Sequence, residues 1–313
     1  MDATPSVRLP TDAPSGIPEA PPSPTEIGRR TFAWGSRTFV MGVINLTPDS
    51  FSGDGLLRQA REATEATDPV AAAVRHAEQM AADGADIIDT GGESSRPGHQ
   101  PVPWEQELER VVPVVAAIRR ALPDLPLSID TTKRRVAEAA LDAGADMIND
   151  VWGVGPDDDL ARLAAERDAV LVVMHNRAEP RYHSLLAEVV ADLDRALERA
   201  LAAGVDWDRL IVDPGIGFGK TAEQNLVLLR ELSVLTVLGR PVLVGTSRKS
   251  TIGKVLDLPA GERLEGTLAT TALAVSAGAD MVRVHDVLAN VRVARMSDAI
   301  VRGGWREEQG ESR

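Results

Sequence analysis

Short apolar runs alternate with longer amphipathic stretches along most of the chain. The run Phe39 to Ile44 is apolar throughout, and it ends in Asn45 and the polar segment Thr47-Pro48-Asp49-Ser50. This pattern predicts a buried strand that delivers a polar side chain to a loop. A helix is predicted from about residue 69, because Pro69 after Asp68 is a favourable helix start.

One phrase recurs, in which a helix ends at a glycine and a short apolar strand begins at once. Ala81–Asp89, Leu141–Asn149 and Val275–Arg283 are three copies, and Leu201–Asp206 is a looser one. We expect the glycine to take the left-handed conformation that caps a helix. Repeated helix-to-strand units of this kind indicate βαβ units and a parallel sheet.

The units predict an α/β fold with eight strands, each followed by a helix. The predicted strands are Phe39–Asn45, Asp86–Thr90, Leu127–Asp130, Met147–Asn149, Val170–Met174, Leu210–Asp213, Val242–Gly245 and Met281–His285. The predicted helices are about 69–83, 104–121, 132–143, 157–168, 184–203, 221–238, 263–277 and 287–301. We favour a (β/α)8 TIM barrel over an open doubly wound sheet, because eight is the barrel's number and no dinucleotide fingerprint follows the first strand.

The two ends of the chain differ in composition from the barrel, which we place at residues 31–303. Residues 1–30 are rich in Pro, Ser, Thr and Ala, and such a segment buries too little apolar surface to order itself. We therefore expect a disordered N-terminal extension. Residues 304–313 form a polar C-terminal tail.

Charge and cysteine content restrict the partners. The 313 residues include 34 basic and 47 acidic side chains, a net charge of −13, which argues against a nucleic-acid or anionic-membrane partner. The chain has no cysteine, so disulfides and thiolate metal sites are excluded and a cytoplasmic location is expected. No apolar run approaches the roughly 18 residues of a membrane span.

Polar residues stand where the predicted strands end. They are Asn45, Asp89, Asp130, Asn149, Asp213, Arg283 and His285. A single Asp at a strand end often caps a helix. In a barrel, however, all carboxyl ends of the strands meet at one mouth, where active sites are built. Convergence of the whole set predicts a polar site there.

Three loops add candidate residues. Asp213–Thr221 looks like a phosphate-binding loop, but Pro214 occupies the position of its leading glycine, so we expect a flexible loop whose Phe218 faces a flat ligand. After the seventh strand, Lys249 is placed to form an anion cradle with Arg283 and His285. The glycine-rich segment Gly91–Gly98 is suited to a substrate lid.

Taken together, these motifs resemble the dihydropteroate synthase family, in the family's order and over about residues 38 to 302. The motifs are Met41–Phe51, Gly91–Gly98, Ser128–Thr131, Ile148–Asp150, Asp213–Lys220, Ser247–Ser250 and Arg283–Asp286. The resemblance implies a folate-biosynthesis transferase that joins 6-hydroxymethyl-7,8-dihydropterin diphosphate to para-aminobenzoate and releases diphosphate. It also implies small-molecule substrates and a homodimer.

The resemblance assigns expected roles to particular residues. It implies that Asp130, Asn149, Asp213 and Lys249 line a pterin pocket, that Arg283 and His285 bind the diphosphate, and that Asn45 is a ligand of Mg2+. The expected contacts of para-aminobenzoate are Ser95, Pro97, Phe218 and Ser250, with Arg96 and Thr47–Asp49 closing over it. Lys249, Arg283 and His285 are the expected catalytic residues. Because diphosphate is a good leaving group once its charge is neutralised, we expect a dissociative displacement without covalent catalysis.

The sequence departs from the family pattern at three places: the acid of the first loop is shifted to Asp54, Ser95 replaces a threonine, and Met174-His175-Asn176-Arg177 follows the fifth strand. Two alternatives stay open. A pterin-binding methyltransferase module would share the barrel and the pterin pocket but has no need of Ser247–Ser250 or the Arg283 and His285 anion site. A non-catalytic paralogue finds support only in the shifted acid.

Overall fold

A parallel sheet closes into a barrel in the computed structural model, which describes residues 21–46, 68–93, 101–155 and 159–303. The strands within these ranges are β1 (Thr25–Ile27), β2 (Arg30–Phe32), β3 (Phe39–Asn45), β4 (Ile87–Gly91), β5 (Leu127–Asp130), β6 (Met147–Asp150), β7 (Val170–Met174), β8 (Leu210–Asp213), β9 (Leu243–Val244) and β10 (Met281–Val284). Strands β3 to β8 pair in chain order, and β10 lies between β3 and β9. A parallel bridge from Val212 to Val242 joins the remaining edges.

Helices surround this barrel and follow the strands as predicted. In the described ranges they are α1 (Pro69–Ala82), α2 (Trp104–Ala121), α3 (Arg134–Asp142), α4 (Asp159–Arg167), α5 (Leu185–Ala202), α6 (Ala222–Arg230), α7 (Ser250–Leu256), α8 (Leu264–Ser276) and α9 (Val287–Val301), with 3₁₀ turns at Trp207–Arg209, Leu232–Leu238 and Ala260–Glu262. None of the helices in these ranges is long and apolar enough to cross a membrane.

The TIM barrel prediction is confirmed, with local corrections. The recurring glycines Gly84, Gly144, Gly204 and Gly278 all have positive φ, as the helix-to-strand phrase requires. The predicted helix over 221–238 divides into α6 and a 3₁₀ turn. Helix α7 was not predicted, because Gly253 and the β-branched Thr251, Ile252 and Val255 weaken the helical signal of the sequence.

The boundary predicted near residue 30 is wrong, because Thr25–Phe32 forms an antiparallel hairpin with its turn at Gly28. Ile27 and Phe32 are buried with Trp34 at the amino ends of the barrel strands. The isolated Ile27 in a polar context gave little sequence signal, although it belongs to the core. Residues 1–20 and 304–313 lie outside the described ranges.

Alternate positions along the strands separate two cores. Val40, Ile88 and Val282 pack outward against the helices, in the larger apolar cluster. Met41, Ile87 and Met281 belong to a second cluster inside the barrel, beside the hairpin. Since strand side chains alternate between faces, residues two positions further toward the carboxyl ends share this interior. In that layer the side chains are Asp89, Asn149, Asp213 and Arg283, so the barrel interior changes from apolar to charged.

Candidate active site

Arg283 is the hub of the charged layer. Its Nε donates to Asp89 Oδ2 over 2.6 Å, and its Nη2 donates to Asp130 Oδ2 over 2.8 Å. Asn149 Nδ2 donates to the same Asp89 oxygen over 3.3 Å. Four polar strand ends, from β4, β5, β6 and β10, therefore meet as the sequence predicted.

The charges in this layer are strongly perturbed by burial. Burial raises the pKa of Asp130 to about 7, although the Arg283 guanidinium acts in the opposite direction. Burial lowers the pKa of Arg283, but the Asp89 and Asp130 carboxylates outweigh it and the net pKa is raised. Arg283 is thus a permanent cation, while Asp130 sits close to its own protonation point.

Asp213 and Lys249 form a second part of the mouth. Asp213 Oδ1 accepts from the Gly215 N–H over 2.7 Å, and burial raises the pKa of this carboxyl against the pull of Lys249. Lys249 Nζ donates to the Ile216 carbonyl and lies 4.5 Å from the centroid of the Phe218 ring. Burial lowers the pKa of Lys249 to about 8, with the Asp213 carboxylate opposing the change.

His285 and Asn45 lie at the end of the same barrel interior. His285 Nδ1 is 2.9 Å from Ser247 Oγ, and its Nε2 is 3.5 Å from Asn45 Nδ2. An Asn45 amide that donates to this imidazole leaves its Oδ1 as the ligand-forming atom. Ser250, in contrast, is exposed at the start of α7.

Of the two adjacent cations after β9, only Lys249 turns to the mouth. Arg248 pairs with Asp286 through two hydrogen bonds of 3.1 and 2.8 Å, and its backbone adopts a positive φ of 58°. The pair fixes the corner between β9 and β10. Adjacent residues of identical sign therefore serve different purposes, which their order in the sequence does not reveal.

The structure describes the predicted lid segment Gly91–Gly98 only as far as residue 93. Lys133 donates to the carboxylates of Glu93 and Glu107, and Arg110 Nη1 donates to the Gly92 carbonyl over 2.8 Å. Glu107 is fully buried, so this ion cluster is a rigid anchor for the strand-to-loop junction. Ser95, Arg96 and Pro97, together with Thr47–Asp49 and Asp54, lie outside the described residues.

Three groups of residues were missed among the candidates. Asp89 stands at a predicted strand end, and only its position, which repeats that of Asp130 and Asn149, signals a role. Glu107 and Lys133 carried no motif. Lys220 lies in the loop Asp213–Thr221, which does not match the phosphate-binding pattern, and its partner His175 stands in a segment that departs from the family.

Comparison with known proteins gives a consistent result. The family model described as "Pterin binding enzyme" matches residues 41–285. The dihydropteroate synthase of Clostridium beijerinckii is 48% identical over 278 residues, which is 88% of this chain and 99% of the relative. The enzyme of the same name from Bacillus subtilis is 47% identical over 268 residues, 86% of this chain and 90% of the relative.

Solved structures agree with these relatives. A dihydropteroate synthase from Clostridium difficile, determined in the presence of pteroic acid, has a TM-score of 0.79 at 47% identity and covers 87% of this chain and 99% of its own. The Xanthomonas albilineans dihydropteroate synthase with 4-aminobenzoic acid has a TM-score of 0.81 at 40% identity, covering 89% of this chain and 98% of its own.

Proposed function

The chain belongs to the pterin binding enzyme family and, within it, to the dihydropteroate synthases, and we propose that the charged mouth of its barrel carries out that reaction. The chain is an alkyl-transferring transferase of folate biosynthesis. It condenses 6-hydroxymethyl-7,8-dihydropterin diphosphate with para-aminobenzoate, giving 7,8-dihydropteroate and diphosphate. The observation that carries the proposal is the meeting of Asp89, Asp130, Asn149 and Arg283 inside one barrel end.

We assign the pterin ring to Asp130, Asn149 and Asp213. A pterin edge carries an amino group beside a ring N–H, and a carboxylate such as that of Asp213 accepts from both. The Gly215 N–H occupies one side of Asp213 Oδ1 and so orients this carboxylate. Asn149 offers a donor and an acceptor, which suits ring atoms of mixed character.

The diphosphate is assigned to Arg283, His285 and Lys249. Asp89 and Asp130 hold two nitrogens of Arg283 in place, and within the described part of the chain its Nη1 has no partner. A guanidinium oriented in this way is prepared to donate to phosphate oxygens without losing much conformational entropy. Lys249 lies between the Arg283 guanidinium and the Phe218 ring, at the place where both substrates would meet.

Mg2+ is the proposed cofactor, and the donor set of the chain fits it. The described residues contain no group of three or more His, Asp or Glu side chains arranged to hold a metal. Mg2+ keeps water ligands and often binds through substrate phosphates with one or two protein oxygens, so Asn45 Oδ1 would be enough from the protein. When bound, the ion would neutralise charge on the departing diphosphate.

The chemistry assigned to the residues is positioning and electrostatic stabilisation. The arylamine is neutral near pH 7 and needs no general base, so no side chain has to remove a proton before attack. Arg283, His285 and Lys249 stabilise the charge that grows on the leaving group, and the pterin ring delocalises the positive charge left on its methylene. Ser95, Pro97, Phe218 and Ser250 would contact para-aminobenzoate, and Arg96 would help exclude water.

A homodimer in the cytoplasm completes the proposal. Leu273 on α8 and Met296 and Ile300 on the adjacent α9 are 63%, 62% and 72% exposed, which supports a self-association face on these helices. The absence of cysteine is consistent with a reducing compartment.

Diphosphate release tests the function directly. The purified full chain is mixed with the pterin diphosphate, para-aminobenzoate and Mg2+, and diphosphate and dihydropteroate are quantified. We expect equimolar formation of both products, dependent on both substrates. Transfer of a methyl group from a folate without diphosphate release would instead support a methyltransferase module, and binding without turnover would support a non-catalytic paralogue.

A further inference from the structure

Lys220 closes the glycine-rich loop after β8 with a complete set of hydrogen bonds. Its Nζ is 2.8 Å from His175 Nδ1, 3.1 Å from the Gly215 carbonyl and 3.0 Å from the Phe218 carbonyl. A lysine ammonium has three donors and no acceptor. Each donor therefore meets one acceptor, and the loop is tied both to itself and to the segment after β7.

His175 is held as the acceptor in this arrangement. Its Nε2 lies 3.1 Å from Asp192 Oδ2, so the ring proton belongs on Nε2 and the lone pair of Nδ1 points to Lys220. Burial and the Lys220 charge lower the pKa of His175 to about 4, which keeps the imidazole neutral. Arg177 Nε also donates to Asp192 Oδ2 over 2.8 Å and steadies that carboxylate.

The loop lies directly against the backbone of the segment after β7. Gly215 has φ +66°, and a Cβ there would be 1.9 Å from the His175 carbonyl oxygen. Gly219 has φ +54°, and its Cβ would be 2.3 Å from the Arg177 oxygen. Tyr182 Oη donates to the Gly219 carbonyl over 2.8 Å. Only glycine permits this approach, so the sequence of the loop is adapted to this single docked position.

The docked loop determines what reaches the active site. It presents the Ile216 carbonyl to Lys249 and places the Phe218 ring against the same ammonium group. We propose that Lys220, through His175 and the loop carbonyls, is a positioning residue that holds the Phe218 ring in the geometry that the arylamine substrate requires. This inference rests on the proposed function, but the docking of the loop can be measured without it.

The test compares Lys220→Met with Lys254→Met, a matched change at an exposed lysine of α7. Burial lowers the pKa of Lys220 to about 7, so the assays are run at about pH 6, where the ammonium form prevails. In Lys220→Met we expect KM for para-aminobenzoate to rise about tenfold, the effect of a lost charge-assisted hydrogen bond, with KM for the pterin diphosphate within about twofold. Amide hydrogen exchange over residues 214–220 should become faster. Lys254→Met should change none of these quantities.

Two results would overturn the proposal. One is unchanged exchange over 214–220 together with unchanged KM for para-aminobenzoate. The other is an equal rise of both KM values accompanied by a lower Tm, which is the behaviour of a purely structural residue. If Lys220→Met does not fold, His175→Phe removes one of the three acceptors and should raise KM for para-aminobenzoate about threefold; no rise would contradict the inference. If the wild type releases no diphosphate, the proposed function is wrong. The comparison of amide hydrogen exchange between Lys220→Met and Lys254→Met still tests whether Lys220 docks the loop.

Discussion

The two ends of the barrel interior are built from the same strands but differ in their chemistry. At the amino ends of the strands, Phe32, Trp34 and Phe39 pack in tilted and edge-to-face contacts with ring centroids 4.7–5.6 Å apart, beside Met281. Two residues further along β10, Arg283 is surrounded by carboxylates. An apolar floor, made of Phe32, Trp34, Phe39 and Met281, therefore lies only two strand residues below an ionic site. This agrees with the general division of TIM barrels into a stability face and a catalytic face.

The difference is also one of energy. A fully buried apolar side chain of the floor stabilises the fold by about 1.5–3 kcal/mol. Buried ions lose their hydration, and their mutual attraction repays that cost only when every partner is present. We therefore expect single substitutions to destabilise the charged layer more than the floor. We also expect the charged layer to lower the stability of the fold while it holds the site preorganised.

The largest effect should come from Arg283→Met, which keeps an unbranched side chain, shorter by two heavy atoms, and removes the charge. The carboxylates of Asp89 and Asp130 would lose their common partner. We expect kcat/KM for diphosphate release to fall by about 10³-fold or more and the free energy of unfolding to fall by about 3 kcal/mol. Coupled-enzyme assays and urea unfolding measure the two quantities.

Met281→Leu is the matched change in the floor, two residues before Arg283. A swap that conserves volume usually costs less than about 1.5 kcal/mol, and we expect turnover within about twofold of the wild type. A larger activity loss in Met281→Leu than in Arg283→Met would reverse the comparison.

Lys249→Ala should lower kcat/KM by about 10²-fold, because it removes a cation at the joint of both substrates. Its effect on stability should be small, since burial already lowers the pKa of this ammonium to about 8 and makes its charge unfavourable. Lys254→Ala serves as the control. Near-normal turnover in Lys249→Ala would contradict the assigned role.

Truncation tests the floor alone. Removing residues 1–28 deletes the buried Ile27 and the hydrogen bond from Trp34 Nε1 to Thr25 Oγ1, so we expect a loss of about 3 kcal/mol of stability. Turnover of the remaining folded protein should stay near normal. Removing only residues 1–20 should leave the melting temperature nearly unchanged, and equal melting temperatures for both truncations would show that the hairpin contributes nothing.

The last effect concerns the pH dependence of stability. The folded pKa of Asp130, about 7, lies above its unfolded value of 3.8, so its stabilising contribution is complete at low pH and is lost as pH rises through 7. Asp130→Asn removes this term. Between pH 5 and 8 the wild type should lose about 2–3 kcal/mol more than Asp130→Asn. An equal change in the free energy of unfolding of both proteins between pH 5 and 8 would argue against a raised pKa of Asp130.

The sequence predicted the scaffold well because periodicity and glycine caps are local signals. Strands β3, β5, β7 and β8 have the predicted bounds, and their polar ends converge as expected. Pairing across the barrel is not a local signal, so the order of residues does not predict that Arg283 pairs with Asp89. Nor does it predict that Arg248 pairs with Asp286 while Lys249 points inward. Similarly, Ile27 and Lys220 acquire their roles from segments distant in sequence.

A crystal structure with 6-hydroxymethyl-7,8-dihydropterin diphosphate would show directly which residues bind the substrate. We predict that the ring lies against Asp130, Asn149 and Asp213, with the diphosphate at Arg283 and His285. A ring bound at the opposite end of the barrel, for example in the cavity of about 610 Å³ lined by Arg37, Asp86 and Asp298, with the charged layer untouched, would contradict it.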